Sequence, residues 1–174
     1  IITMQVDLYN IKNEVIGRFS AVKNLNLTAK DASNSAGTIQ AGDSLTATMA
    51  ASLGNVKGNI QAATIDIKAQ NLTNDEGKVL ATGDKDFTIA VTDEASNVKG
   101  FIGGNGKLLF NAANINNTRG TVYAKQDLDV TSTAQVNNTL GTLQADQAIK
   151  AQIGAQLINQ QGIIQAKKNT LAAG

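Results

Sequence analysis

Residues 37–47 read GTIQAGDSLTA, and their pattern returns along the whole chain. Similar stretches are GTVYAKQDLDV at residues 120–130 and GTLQADQAIKA at residues 141–151. A glycine recurs with the pattern at spacings of 20, 21, 19, 23, 20, 21 and 21 residues, and these anchor glycines are Gly17, Gly37, Gly58, Gly77, Gly100, Gly120, Gly141 and Gly162. A period near 20 residues is typical of a solenoid.

Chemically uniform rows accompany the anchor glycines. Two places after each anchor the residue is apolar: Phe19, Ile39, Ile60, Val79, Ile102, Val122, Leu143 and Ile164. Four places after it the residue is small: Ala21, Ala41, Ala62, Ala81, Gly104, Ala124, Ala145 and Ala166. Three places before it stand Glu14, Asn34, Asn55, Asn74, Asn97, Asn117, Asn138 and Asn159. Rows of one chemical type indicate that equivalent side chains stack.

Two further apolar segments complete each unit. The first is a pair two residues apart: Leu25 and Leu27, Leu45 and Ala47, Ile65 and Ile67, Phe87 and Ile89, Leu108 and Phe110, Leu128 and Val130, Ile149 and Ala151, Leu171 and Ala173. The second is a single row: Ala32, Leu53, Leu72, Ala95, Ile115, Val136 and Leu157. Apolar residues two apart predict strands with one buried face and exclude a helical solenoid.

The predicted fold is therefore all-β, a right-handed parallel β-helix, or β-solenoid, of about eight turns of 19–23 residues with three short strands per turn. The absence of Pro agrees, since nearly every strand needs its N–H groups for two neighbours. We expect the Asn row to lie at a corner, where Asn tolerates positive φ and bonds its stacked copies. The anchor glycine would then let the chain leave that corner.

Composition narrows the functions available to the chain. Fifteen Lys and Arg balance 14 Asp and Glu and are scattered, which argues against nucleic acid as a partner. The sequence has no Cys and no His, so it lacks thiol nucleophiles and the commonest metal ligand, and we expect no cofactor. No apolar stretch reaches the roughly 18 residues of a membrane span.

Two segments are expected. Residues 17–174 form the repeats, whereas residues 1–16 keep the alternation but carry Asn13 one place early, so they form an irregular first turn or a junction. Because the chain opens at Ile1 in mid-pattern, we interpret it as part of a longer array.

The combination of period, Asn, Gly, apolar and Ala rows over residues 10–174 resembles the haemagglutinin repeat of filamentous haemagglutinin and of contact-dependent growth inhibition exoproteins, whose unit reads like N..G.(I/L).A.GDL.L.A. The resemblance implies a secreted two-partner secretion (type V secretion) substrate on the bacterial cell surface, exported by an outer-membrane transporter. It also implies a virulence or cell adhesion role, with a target-cell receptor or glycan as a further partner. We expect a structural shaft that presents binding or toxic modules, and no enzyme.

Two alternatives remain open: a segment that is itself an adhesin, and a carbohydrate-active β-helix enzyme or phage spike. An enzyme of this fold would need clustered charges, for which the best candidates are Asp84, Asp86, Asp93 and Glu94 near the longest spacing. We interpret them as an inserted, solvated loop. The stretch from Gly103 to Gly106 resembles a calcium-binding nonapeptide only faintly, since Lys107 replaces the needed Asp.

One contact surface is predicted from the outward positions. Leu80, Phe101 and Tyr123 place large apolar groups outward on neighbouring turns, next to the longest spacing. We expect them to form a partner-contact patch for a receptor, a sister filament or another part of the same polypeptide.

Overall fold

The computed structural model describes residues 3–174, and its strands fall into three rows that repeat once per turn. Residues 1 and 2 of the predicted first segment lie outside this range. The first row follows the anchor glycines: β3 (Arg18–Ala21), β6 (Thr38–Ala41), β9 (Asn59–Ala62), β12 (Lys78–Ala81), β15 (Phe101–Gly104), β17 (Thr121–Ala124), β19 (Thr142–Ala145) and β22 (Ile163–Gln165). The second row is β1 (Thr3–Asp7), β4 (Asn24–Ala29), β7 (Ser44–Met49), β10 (Thr64–Ala69), β13 (Phe87–Val91), β20 (Ala148–Ile153) and β23 (Lys168–Ala173).

The third row contains β2 (Asn10–Lys12), β5 (Asp31–Ser33), β8 (Ser52–Gly54), β11 (Asn71–Thr73), β14 (Glu94–Ser96) and β21 (Gln156–Ile158). In two turns the second and third strands are continuous, as β16 (Leu108–Asn116) and β18 (Leu128–Asn137). The chain is thus a parallel β-solenoid of about eight turns, which confirms the predicted class. No helix within residues 3–174 has the length and apolar character needed to cross a membrane.

Each strand pairs in parallel with its equivalent one turn away. Within the described range the first row forms an eight-stranded sheet, and the other two rows form a fifteen-stranded sheet that is joined through β16 and β18. The registers match the sequence rows, as in the pairs Ile39 with Ile60 and Leu53 with Leu72. Backbone hydrogen bonds therefore run along the solenoid axis, from turn to turn.

The core consists of stacked inward rows, and one of them was not predicted from the sequence. The third inward position of the second strand forms a buried row: Ala29, Met49, Ala69, Val91, Ala112, Ser132 and Ile153. Its varied residue types gave no repeating signal. Ser132 is accommodated because its hydroxyl donates to the Ala113 carbonyl at 2.7 Å. The buried hydroxyl therefore has a partner.

The last turn is displaced from its predicted register. The sequence pattern aligned Leu171 with Ile149, but Leu171 pairs with Ala151, and Asn169 pairs with Ile149. The prediction was wrong because β23 begins directly after a short corner, so the apolar residues fall two places further along the strand. Leu171 remains exposed in this turn.

A buried amide ladder runs along one corner and confirms the predicted stacking of Asn side chains. The Nδ2 of each Asn donates to the Oδ1 of the next, over 2.6 to 2.8 Å, in the series Asn13, Asn34, Asn55, Asn74, Asn97, Asn117, Asn138 and Asn159. Six of these side chains, from Asn34 to Asn138, are fully buried. Asn13 takes the place predicted for Glu14, and an extra residue follows it in the corner, where Val15 and Ile16 both have positive φ.

Positive φ at this corner belongs to neither Asn nor Gly, which corrects the prediction. The residue before each anchor has φ of 53° to 57°: Ile16, Ala36, Lys57, Glu76, Lys99, Arg119, Leu140 and Gln161. The anchor glycine is needed for close approach instead. A Cβ on Gly100 would overlap the backbone oxygen of Asn74 in the previous turn and lie 2.5 Å from the Oδ1 of Asn97. The ladder thus excludes a side chain here.

Lys57→Gly is expected to stabilise the fold by about 1 kcal/mol, because an L-residue with left-handed dihedrals costs roughly that amount and glycine does not. Lys57 is exposed and has φ of 53°. The matched control, Lys150→Gly in β20, should destabilise by about 0.5–1 kcal/mol. Denaturant unfolding measures the free energy of unfolding of both variants. Changes of the same sign would contradict the left-handed backbone conformation of Lys57.

The longest spacing corresponds to a loop at one corner. Residues 82–86 connect β12 to β13, where the equivalent connection from Ala41 to Leu45 has three residues. Three side chains from other turns hold the loop. Thr64 Oγ1 donates to the Asp86 carbonyl at 3.0 Å, Asn105 Nδ2 to the Thr82 carbonyl at 2.8 Å, and Gln126 Nε2 to the Asp84 carbonyl at 2.9 Å. The insertion is a fixed protrusion.

Candidate contact surface

The three side chains of the predicted contact patch lie on one face, formed by β12, β15 and β17. Leu80, Gly103 and Tyr123 are paired across these strands and make one outward row. Phe101 belongs to the adjacent outward row, between Lys78 and Thr121. All three apolar side chains are half-buried.

Gly103 explains how the phenyl ring reaches its neighbours. A Cβ on Gly103 would lie 2.8 Å from the ring tip of Phe101 and 3.1 Å from the Cβ of Tyr123. The ring of Phe101 therefore extends over the vacant position between Leu80 and Tyr123, so the three side chains occupy neighbouring positions of one surface. We define it as the Phe101 patch, composed of Leu80, Phe101 and Tyr123.

A carboxylate anchors the aromatic end of the patch. The Tyr123 hydroxyl donates to Asp146 Oδ2 at 3.0 Å, one turn further along. Partial burial of the phenol and then this hydrogen bond raise the pKa of Tyr123 above its usual value. The ring is therefore held in a defined orientation as a neutral donor.

Titration of Tyr123 offers a direct test of this contact. Because its pKa is raised in the fold, we expect its contribution to stability to be present below the ordinary tyrosine pKa of about 10 and to be lost as the pH rises through the folded value. In a Tyr9→Phe background, tyrosinate absorbance should report a raised midpoint, and Asp146→Asn should lower that midpoint. An unchanged midpoint in Asp146→Asn would contradict the hydrogen bond.

The carboxylates considered for catalysis are not brought together. Asp84 and Asp86 lie in the loop before β13, whereas Asp93 lies at the corner after it and Glu94 begins β14, so the whole of β13 separates the two pairs. Within residues 3–174 no group of three or more Asp and Glu side chains is placed to hold a metal ion.

Lys107 stands where a calcium-binding nonapeptide would need Asp, and it forms an ion pair with Asp129 at 2.8 Å. This hydrogen bond is the main cause of its raised pKa.

The most exposed large apolar groups lie elsewhere, at positions where the sequence predicted no contact surface. They occupy the corners of the first turn: Leu8, Tyr9, Val15, Ile16 and Val22. Ile16 is 92% exposed and Tyr9 is 71% exposed, with the Lys30 ammonium 5.3 Å from the Tyr9 ring centroid. The signal available in the sequence was the failure of these residues to fit any inward row.

Comparison of the chain with family models, with curated proteins and with solved structures finds no match.

Proposed function

We propose that this chain is a shaft segment of a secreted two-partner secretion filament, which spaces a binding or toxic module away from the producing cell. The observation that carries the proposal is the parallel stacking of all three strand rows from turn to turn, together with the Asn ladder that extends from Asn13 to Asn159. Seven strand spacings of about 4.8 Å give a ladder roughly 34 Å long. Each added turn lengthens such a rod without changing its cross-section.

The interactions between turns suit a load-bearing rod. Backbone hydrogen bonds of all three strand rows run along the axis, so tension on the filament loads them together. The ladder adds side-chain bonds in the same direction, inside the corner where water does not compete. The proposed export route and the proposed bacterial surface location rest on the resemblance of residues 10–174 to the haemagglutinin repeat.

The proposal is tested on the producing cells with an antibody raised against residues 17–174. We expect intact cells to be labelled and the label to be removed by external protease. Deletion of the gene for the partner transporter should abolish surface labelling while the antigen remains inside. A cytoplasmic marker that stays unlabelled controls for cell integrity. Antigen found only in lysed cells would contradict the proposal.

A second candidate is direct adhesion through the Phe101 patch, favoured by the neighbouring outward positions of its three apolar side chains. If the patch contacts a receptor, Phe101→Ser with Tyr123→Ser should abolish binding of the purified segment to target cells. The exposed pair Thr131→Ser with Thr133→Ser provides a control on another face. Unchanged binding by the Phe101 and Tyr123 variant, with unchanged thermal unfolding, would exclude the Phe101 patch as the receptor-contact surface.

A further inference from the structure

The one Asn-Gly pair of the sequence lies at the bend between β15 and β16. Asn105 and Gly106 end the glycine-rich stretch that starts at Gly103, to which the proposed function gives no role. The Asn105 side chain is exposed, whereas Gly106 is buried. When glycine follows asparagine, the glycine nitrogen can attack the side-chain amide readily, because glycine has no side chain that hinders the approach. The pair is therefore a candidate site of chemical modification.

Packing against the loop at residues 82–86 requires both residues of the pair. A Cβ on Gly106 would overlap the carbonyl oxygen of Lys85 in the previous turn. The Nδ2 of Asn105 donates to the Thr82 carbonyl at 2.8 Å, at the other end of the loop. Glycine leaves room for the loop and asparagine holds it. The fold thus favours a chemically labile pair at this bend.

The Gly106 N–H lacks the hydrogen bond that other turns make at this position. In the turn that begins at Gly37, the equivalent residue is Asp43, and its N–H donates to the Lys23 carbonyl at 2.7 Å. Within residues 3–174 the Gly106 N–H has no such partner, since the Lys85 oxygen lies beside the glycine Cα instead. A nitrogen that is bonded in a sheet must lose that bond before it reacts, and the Gly106 nitrogen does not have to.

The asparagines of the ladder are held much more firmly. Asn97 is fully buried, and its Nδ2 donates to Asn117 Oδ1 at 2.8 Å. The N–H of the next residue, Val98, donates to Asp75 Oδ1 at 3.0 Å. Both groups that would have to react are engaged in hydrogen bonds, so a reaction at Asn97 would first need local unfolding.

From this contrast we infer that Asn105 is a site of spontaneous deamidation, and that its modification removes one anchor of the loop at residues 82–86. Hydroxide takes the proton of the Gly106 N–H, and the nitrogen attacks Asn105 Cγ. The new C–N bond closes a succinimide ring, while the Cγ–Nδ2 bond breaks and ammonia leaves. Water then opens the ring at either of its two carbonyls and gives aspartate or isoaspartate. One water is consumed for each ammonia released.

Either product changes the contact with the loop. In aspartate an oxygen replaces Nδ2 and faces the Thr82 carbonyl oxygen, so a hydrogen bond becomes a repulsion between two acceptors. Isoaspartate adds a methylene group to the backbone of the bend. Both products bring the formal net charge of the chain from +1 to zero. The bonds from Thr64 and Gln126 remain, so the loop loosens without detaching.

Peptide mapping tests the site, because trypsin separates the two kinds of asparagine. It releases residues 100–107, in which Asn105 is the one side-chain amide, and residues 86–99, in which Asn97 is the one side-chain amide. The folded chain is incubated at mildly alkaline pH before digestion, and mass spectrometry follows the replacement of NH2 by OH in each peptide. Methylation by a protein isoaspartyl methyltransferase identifies isoaspartate. The modification needs neither a filament nor a ligand, so the test is independent of the proposed shaft function.

We expect the modified fraction of residues 100–107 to grow with incubation time and to include isoaspartate. Residues 86–99 should be modified about tenfold more slowly or less, which corresponds to a barrier at least about 1.4 kcal/mol higher. Incubation in urea gives the rate without the fold, and the folded chain should modify Asn105 within about tenfold of that rate. Asn105→Gln should leave residues 100–107 unmodified. No modification in the folded chain, equal rates in the two peptides, or much stronger protection by the fold would overturn the site.

Asn105→Asp reproduces one product and tests its effect on the loop. We expect the backbone amides of residues 82–86 to exchange with deuterium faster in this variant than in the parent chain, because one anchor is lost. Asn114→Asp makes the same change of charge at another exposed position and should leave the exchange of the loop unchanged. Unchanged exchange in Asn105→Asp, or equal acceleration by both variants, would overturn the role of Asn105 as an anchor.

Discussion

Gly100→Ala is expected to destabilise the solenoid by roughly 3–5 kcal/mol, whereas Gly54→Ala should be neutral or stabilise it by up to about 1 kcal/mol. A Cβ on Gly100 would overlap the backbone oxygen of Asn74 and come within 2.5 Å of Asn97 Oδ1. Moving Asn97 Oδ1 would break the ladder bond that it accepts from Asn74 Nδ2, and moving the Asn74 oxygen would break the bond that it accepts from the Gly77 N–H at 3.0 Å. Around Gly54 the nearest atom to an added Cβ, the Ala32 carbonyl oxygen, is 3.8 Å away, which is an ordinary contact.

Denaturant unfolding followed by far-ultraviolet circular dichroism measures both glycine variants. Because neighbouring turns stabilise each other, damage in a central turn should lower the stability of the whole array or split the transition in two. Gly54 lies in strand β8, so its substitution also tests the ordinary advantage of Ala over Gly in regular structure. Equal effects at the two positions would show that close approach is not the reason for the anchor glycines.

Asn97→Ala is expected to cost about 2–4 kcal/mol, because it leaves buried polar groups without partners. The Asn97 Nδ2 donates to Asn117 Oδ1 at 2.8 Å and to the Thr121 carbonyl at 3.1 Å. Its Oδ1 accepts from Asn74 Nδ2 at 2.8 Å. Truncation removes all of these bonds from a fully buried position. Asn114→Ala, at an exposed position, should change stability by no more than about 0.5 kcal/mol.

The isosteric variant Asn97→Asp separates hydrogen bonding from packing. A carboxylate at this position would point one oxygen at two acceptors, Asn117 Oδ1 and the Thr121 carbonyl oxygen. Burial and the repulsion from these acceptors should raise the pKa of the carboxyl above its ordinary value of about 3.9. Its destabilisation should therefore be small at low pH and grow as the pH rises above that value. Unfolding measured across this range provides the test. A variant as stable as the parent at neutral pH would refute the ladder.

The solenoid could be predicted from the amino-acid sequence, because stacking imposes the same packing requirement at the same position of every repeat. Each inward position must accommodate its copies one turn away, so Ile39, Ile60 and Val79 resemble one another in size and polarity, and the resemblance recurs with the period of the chain. The Asn ladder was predictable for the same reason. Rows that tolerate different residue types, such as the one containing Met49 and Ser132, gave no such signal.

The construction of the corners and the contacts between surface groups depend on the tertiary structure. Glycine after Asn suggested conformational freedom, yet positive φ falls on residues such as Lys57, and glycine is required by an oxygen of the previous turn. The Phe101 ring reaches over Gly103, and the loop at residues 82–86 is held by Gln126 from two turns away. Such contacts join residues of different types at different positions of the repeat, so no row in the sequence records them. The physical reason is that stacking constrains equivalent positions, whereas the surface depends on the individual lengths and directions of side chains.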